Sequence, residues 1–167
     1  MEPDILRQHF IEGMSRASTF VSVVTTDGDG GRHGVTVSSM TSLSADGPAP
    51  SLLICVHHQS NTATAILRNR AFCANLLADD QQQLSDIFSG RHKPASGDRF
   101  DAVDWTPGAA GQPVLARASA VFECALKTAL LWETHYIIVG AVTAVDVSDR
   151  PDALLYGQRA YRRAIKL

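Results

Sequence analysis

The stretch "FVSVVTTDGDGGRHGVTV", residues 20–37, commits the chain to at least one antiparallel pair. Its two β-branched runs read as strands, and Asp27-Gly28-Asp29-Gly30-Gly31 between them supplies the positive φ angles of a tight hairpin turn. Further β-rich runs follow at short intervals. "PSLLICVHH" (50–58) is nearly all apolar and is expected to be buried on both faces; "AFCANLLA" (71–78) is another strand. "ASAVFECALKTALL" and "THYIIVGAVTAVDVS" alternate well enough for two long strands, and "LLYGQRAYRR" closes the chain as one last strand at an edge. Helices are few. Ile5, Leu6, Phe10, Met14 and Ala17 recur at near-helical spacing behind Pro3, predicting an opening amphipathic helix over 4–17. "ATAILRN" suits a short helix capped by Ser60 or Asn61, and "DDQQQLSDIFSG" (79–90) a second one stopped by Gly90. Mostly antiparallel strands with short helices at their ends predict a barrel-like sheet, because closure removes exposed edges. Residues 91–113 have weak periodicity, and a segment that long within a compact domain is usually functional or mobile.

A chain of 167 residues with 45% hydrophobic content fits a single domain over 1–167. Fifteen Lys plus Arg against seventeen Asp plus Glu give a formal charge of −2, so no basic field exists to release counterions from nucleic acid. The opening MEPDILRQHF lacks a basic segment followed by an apolar one, and no apolar run reaches the roughly 18 residues a bilayer span needs. A soluble cytoplasmic protein with no membrane partner is the expectation. Cys55, Cys73 and Cys124 are widely spaced within apolar runs and form no Cys-x-x-Cys pair, which makes them buried small hydrophobes.

Several familiar motifs fail on inspection. A Gly-x-Gly-x-x-Gly loop beginning at Gly28 would need glycine where His33 stands, and a strand follows instead of a helix. Asp27 and Asp29 lack the remaining ligands and closing Glu of a calcium loop. His57 and His58 sit next to each other on a strand and point to opposite faces, with no ligand set to complete a metal site. "GMSRA" at 13–17 has a serine but neither the setting nor the second glycine of a nucleophile elbow.

The hydroxyl-rich run after the first hairpin needs its own explanation. Thr36, Ser38, Ser39, Thr41, Ser42 and Ser44 fall within nine residues of a strand and its exit. Thr36 and Ser38 face one way while Val35, Val37 and Ser39 face the other, so one face packs and the opposite presents small donors beside exposed amides. Such a surface can approach a flat polar ligand closely. Ser60-Asn61-Thr62 adds donors at a helix amino end, where unpaired N–H groups and the dipole favour phosphate. Taken singly, each of these is also what ordinary capping looks like.

Taken in order, residues 21–90, "GDRFDAVDW", "GQPVL", "THYIIVGAV" and "LLYGQRAYRR" resemble the short-chain flavin reductases, the split-barrel proteins that supply reduced flavin to two-component monooxygenases. The resemblance implies a mainly β fold with short helices, an antiparallel split β-barrel of Greek-key type, and a homodimer with flavin near the interface. It implies NAD(P)H:flavin oxidoreductase activity, FMN or FAD as flavin, NADH or NADPH as reductant, and a flavin-dependent monooxygenase component as partner. It matches Thr36, Val37, Ser38 and Ser39 to the strand beneath the flavin ring. Ser60, Asn61 and Thr62 match phosphate and ribityl contacts, with His58 in the preceding corner, where many members carry Arg or Lys and this chain has His58-Gln59. Asn75 matches a run lining the ring pocket, and Arg91 and Phe100 a mobile segment that closes over flavin or adenine. His135 matches a histidine beside the ring where nicotinamide stacks, and Tyr161 an aromatic near that same place. Where the family commonly has glycine two residues before that histidine, this chain has Glu133. The alternatives are a flavin-dependent reductase of a cobalt corrinoid or other bulky acceptor, and a non-catalytic flavin-binding protein.

Overall fold

A computed structural model of the chain describes residues 2–150 and 152–166; the expected 1–167 span includes Met1, Pro151 and Leu167, which lie outside the described residues. The first hairpin forms as its sequence requires. β2 (Ser22–Thr26) pairs antiparallel with β3 (His33–Val37), Val24 opposite Val35. β4 (Thr41–Ser44), β5 (Ser51–His57), β6 (Ala71–Leu76), β9 (Ala120–Trp132) and β10 (His135–Val147) complete an antiparallel seven-stranded sheet, ordered β3-β2-β6-β9-β10-β5-β4. β1 (Thr19–Phe20) joins β11 (Leu155–Gly157) and β12 (Ala160–Arg162) in a small separate sheet. The carboxyl-terminal run is therefore a hairpin of two short strands, where one had been expected.

The large sheet curls without closing, the mark of a split barrel. β3 stands at one end of the order, paired with β2 alone among the strands, and β5 lies next to the other end. No backbone ladder joins them. Instead Ser39 bridges the gap, its hydroxyl donating to the Cys55 carbonyl at 3.1 Å and accepting from the Cys55 amide at 2.9 Å.

Strand alternation divides the core. β2 is buried on both faces: Val24 joins Ile54, Ile66, Phe72 and Ile138 in one apolar cluster, and Val23 joins Leu77, Ile87, Phe88 and Leu115 in another. Burial of each such side chain contributes about 1.5–3 kcal/mol. β5 differs from the expectation of two buried faces. Leu52, Ile54 and Val56 point inward, while Leu53, Cys55 and His57 remain half-buried on the other side. The apolar run reads as double burial because, of its outward residues, Cys55 and His57 border a hollow and Leu53 lies between the neighbouring strands β4 and β10. Gly140 marks a register shift in β10, and a Cβ there would come within 2.6 Å of the Phe72 ring.

Three helices flank the sheet. α1 (Pro3–Ser15) is amphipathic by sequence yet buries none of its residues. α2 (Asn61–Asn69) starts at a Ser60 cap, whose hydroxyl accepts from the Thr62 amide at 3.3 Å, and ends at Arg70 in the left-handed region. α3 (Gln82–Ser89) stops at Gly90, φ 81°. The weakly patterned 91–113 segment holds a 3-10 turn at Arg99–Ala102 and the pair β7 (Trp105–Pro107) and β8 (Pro113–Leu115).

Candidate functional site

Hollows line β3 from its first residues to its exit. The largest, about 630 Å³, runs from Arg32, His33 and Gly34 across to Gln59, Ser60, Asn61 and Thr62, with Gly97–Phe100 as its far wall. A second, about 300 Å³, lies in the gap between β3 and β5 and is lined by Val35–Ser39, Cys55–His57, Ser60 and His135. The third, about 150 Å³, opens on the other side of Thr36–Ser38 toward Ser85, Arg91, Tyr156 and Tyr161. Ser60 belongs to the first two, and Thr36, Val37 and Ser38 to the second and third. The three are therefore neighbours along one ledge.

Local sequence explains why that ledge is thin. Gly34 lets β3 lie against α3: a Cβ there would stand 2.6 Å from the Phe88 ring and 3.4 Å from Phe100. β3 is an edge strand, so alternate backbone groups face away from its single partner. The hydroxyls divide their duties. Thr36 donates to the Ser85 carbonyl at 2.8 Å, and Ser39 is engaged with Cys55. Ser38 lies beyond the end of the strand, in a bend, and lines two hollows.

At the 630 Å³ end, the α2 amino terminus offers its dipole and the Asn61 amide, which finds no acceptor among the described residues. Two guanidiniums, Arg32 and Arg99, face one carboxylate, Asp98. The Phe100 amide, with Arg32 beside it, holds the Asp98 carboxyl below its ordinary range, so that charge persists. Arg99 is pinned to the Gly34 and Phe88 carbonyls at 3.0 and 3.2 Å. This end favours an anion; the ledge beside it suits a flat ring edged with acceptors and donors. A flavin phosphate and its ring fit such a donor set.

His135 opens β10 directly opposite His57 on β5, their rings edge to face at 5.0 Å. Thr134 Oγ1 lies 2.9 Å from His135 Nδ1. His57 accepts from the Gln59 amide, and the His58 amide donates to the Thr134 carbonyl, tying the corner before Ser60 to the turn before His135. Glu133 in that turn has φ 49°, so it occupies a left-handed place that glycine takes at lower cost.

Tyr161 lies across the ledge from His135. Its hydroxyl is 2.8 Å from Asp86 Oδ1 and 2.9 Å from Ser85 Oγ, and burial pushes its phenol up, with Asp86 adding to the rise and Ser85 opposing it. Arg91 lies over the Tyr156 and Tyr161 rings and donates to the Tyr156 hydroxyl at 3.1 Å. Phe100 is buried, stacked edge to face on Phe88 and Trp105, and it borders the largest hollow. Asn75 lies apart. Fully buried, it donates to the Val23 carbonyl and Thr25 hydroxyl and accepts from the Leu115 amide, stitching β6, β2 and β8 together behind the ledge.

Sequence reasoning missed Arg32, Cys55, His57, Ser85 and Tyr156 as wall residues. Of these His57 stands out in the chain only as half of a rejected metal motif, and Cys55 only as an expected buried hydrophobe, whereas it is half-buried on the wall of the hollow; the others are single residues brought in by distant elements. No cluster of three metal-ligating side chains occurs among the described residues.

The flavin reductase like domain family matches residues 14–164. The chain belongs to that family. Among its relatives is the NADH-dependent FMN reductase RutF of Pantoea ananatis, 36% identical over 160 residues, covering 96% of this chain and 82% of that protein. BorF, the flavin reductase component of a bacterial two-component tryptophan halogenase, superposes with a TM-score of 0.83 at 34% identity, covering 99% of this chain and 100% of that one. The NADH:FAD oxidoreductase SgcE6 of Streptomyces globisporus C-1027, solved with NAD and FAD fragments, gives a TM-score of 0.85 at 28% identity over 95% of this chain and 93% of its own.

Proposed function

We propose that this chain transfers a hydride from NADH to FMN and releases the reduced flavin to a separate flavin-dependent monooxygenase or similar oxygenase component. The observation that carries the reading is the ledge itself: an anion-favouring end and two flanking hollows meet on one edge strand, in a chain of flavin reductase lineage. The choice of FMN and NADH rests on the relative named for that pair. Flavin supplies the N5 atom that takes the hydride from nicotinamide C4.

The chain's residues do the positioning. Ser60, Asn61 and Thr62 receive the phosphate, with His58 setting the corner before them. Along Thr36–Ser38, the backbone amides that face away from β2 hold the pyrimidine edge, where negative charge grows during transfer, and Ser39 keeps the slot at fixed width. His135 orients the nicotinamide, and His57 sits where it limits the swing of that ring. Arg91, Phe100 and Tyr161 wall the ledge from the side of α3 and the 91–113 segment. No acid or base couple is required, because hydride transfer needs near contact of two rings, about 3–3.5 Å, and exclusion of water.

Mixing the FMN-loaded protein with NADH or NADPH without oxygen tests this. The yellow absorbance should bleach rapidly with NADH, and His135→Ala should slow bleaching while leaving FMN affinity unchanged. Bleaching no faster than that of free FMN would defeat the reading and leave a flavin carrier.

The protein is also proposed to work as a homodimer in the cytoplasm. α1 leaves Leu6, Phe10 and Met14 more than half exposed, and Leu130 and Trp132 at the end of the β9–β10 hairpin are 58% and 68% exposed, surfaces that a second copy would cover. No helix among the described residues is long and apolar enough to cross a membrane, and the three cysteines are free, in keeping with a reducing compartment.

A further inference from the structure

We propose that Arg32 is the residue by which this chain distinguishes a phosphorylated flavin from an unphosphorylated one. The proposal rests on the flavin-binding reading above and deepens it at the phosphate end.

Arg32 lies in the tight turn between β2 and β3, and its side chain is 34% exposed. Its guanidinium carbon sits 5.0 Å from the Phe100 ring centre and 4.8 Å from that of Trp105. Aromatic contact of this kind holds a long side chain in one orientation, so less freedom remains to be lost when an anion arrives. Nη2 lies 3.1 Å from Asp98 Oδ2, its one charged partner among the described residues. A guanidinium carries five N–H donors, and one carboxylate contact leaves most of them available to the hollow shared with Ser60, Asn61 and Thr62.

The neighbouring cations are less suited. Arg99 is fixed by two backbone carbonyls. The corner before Ser60 brings His58 and Gln59, neither a permanent cation. The turn that carries Arg32 is itself clasped: Asn69 accepts from the Gly30 amide at 2.6 Å and donates to the Gly31 carbonyl at 3.1 Å. Arg32 is thus a held positive charge at the anion-favouring end of the ledge, paired with a single carboxylate that a phosphate dianion can displace or share.

Fluorescence titration of FMN and of riboflavin against wild type, Arg32→Gln and Arg32→Lys reads this directly, at low and high salt. Wild type should prefer FMN. Arg32→Gln should weaken FMN roughly tenfold, as loss of a charge-assisted bond implies, leave riboflavin unchanged and flatten the salt dependence; Arg32→Lys should restore part of the preference. Equal weakening of both flavins would overturn the proposal and make Arg32 a prop for Phe100 and Trp105. Unchanged FMN affinity would overturn it as well. A wild type without preference would fail the phosphate reading itself, before any substitution. Should Arg32→Gln not fold, Asp98→Asn leaves the guanidinium in place without its partner: FMN binding should hold or tighten, and a lost FMN preference would count against the assignment.

Discussion

Cys124 and Cys73 stand on β9 and β6 with their side chains closed to water. Burial pushes the Cys124 thiol up to about 12, with the charge of Glu123 adding to it, and burial moves Cys73 in the same direction. The folded protein therefore holds these protons more tightly than the unfolded chain does. The stability this lends is complete below the ordinary thiol value of 9.0 and is lost as pH climbs from there toward about 12. The urea midpoint should fall above roughly pH 9, and Cys124→Ala should remove part of that slope even though it lowers the midpoint at neutral pH. A midpoint with the same pH slope in both proteins would refute the account. Glu123 is itself nearly enclosed, its carboxylate accepting from the Ala109 and Ala110 amides at 3.0 and 3.1 Å. Two backbone donors take the place of a counter-ion there.

Between elements, Asn69 does most with one side chain. It lies at the end of α2 and reaches the β2–β3 turn, where Oδ1 accepts from Gly30 and Nδ2 donates to Thr26 Oγ1 and Gly31 O. Gly28 and Gly30 leave room for it, since a Cβ at either would lie 2.9 Å from Oδ1. Three hydrogen bonds of about 1 kcal/mol each, partly replaced by water, predict that Asn69→Ala costs roughly 2 kcal/mol in chemical denaturation. Because Arg32 rides on that turn, the same substitution should raise the FMN dissociation rate in stopped-flow measurement. A rate equal to wild type would show that the turn holds its shape without the clasp.

At the scale of the whole molecule, the exposed apolar side chains of α1 and the β9–β10 hairpin bear on assembly. Sedimentation equilibrium should give twice the chain mass, and Phe10→Glu, at a position 65% exposed, should shift the protein toward monomer without loss of helix content. A monomeric wild type would refute the dimer. The same scale shows what a sequence can carry. The first hairpin, the long β9–β10 pair, the helix start at the Ser60–Asn61 corner and the Gly90 stop are legible because each depends on neighbours in the chain, though which of Ser60 and Asn61 caps the helix is not. β4 escaped notice: its four residues are all exposed, and its only reason to be extended is β5, which it meets across a turn. The hydroxyl run drew attention to the ledge, but sequence could not tell that Thr36 and Ser39 would turn to Ser85 and Cys55 while Ser38 stayed on the wall. Asn75 resembles a pocket residue by motif; its partners come from β2 and the last residue of β8, more than thirty residues away on either side, and no neighbour in the chain announces them.

The union of β3 with β5 through Ser39 has a consequence for endurance. With the Ser39 hydrogen bonds and the packing of Val37 on Ile54 and Val56 standing in for a ladder there, a pigment bound as proposed acts as a missing stave. Saturation at a hundred times the dissociation constant would add about 2.7 kcal/mol to resistance against unfolding. The enzyme that lets its dye go would then become, for that interval, the more perishable object.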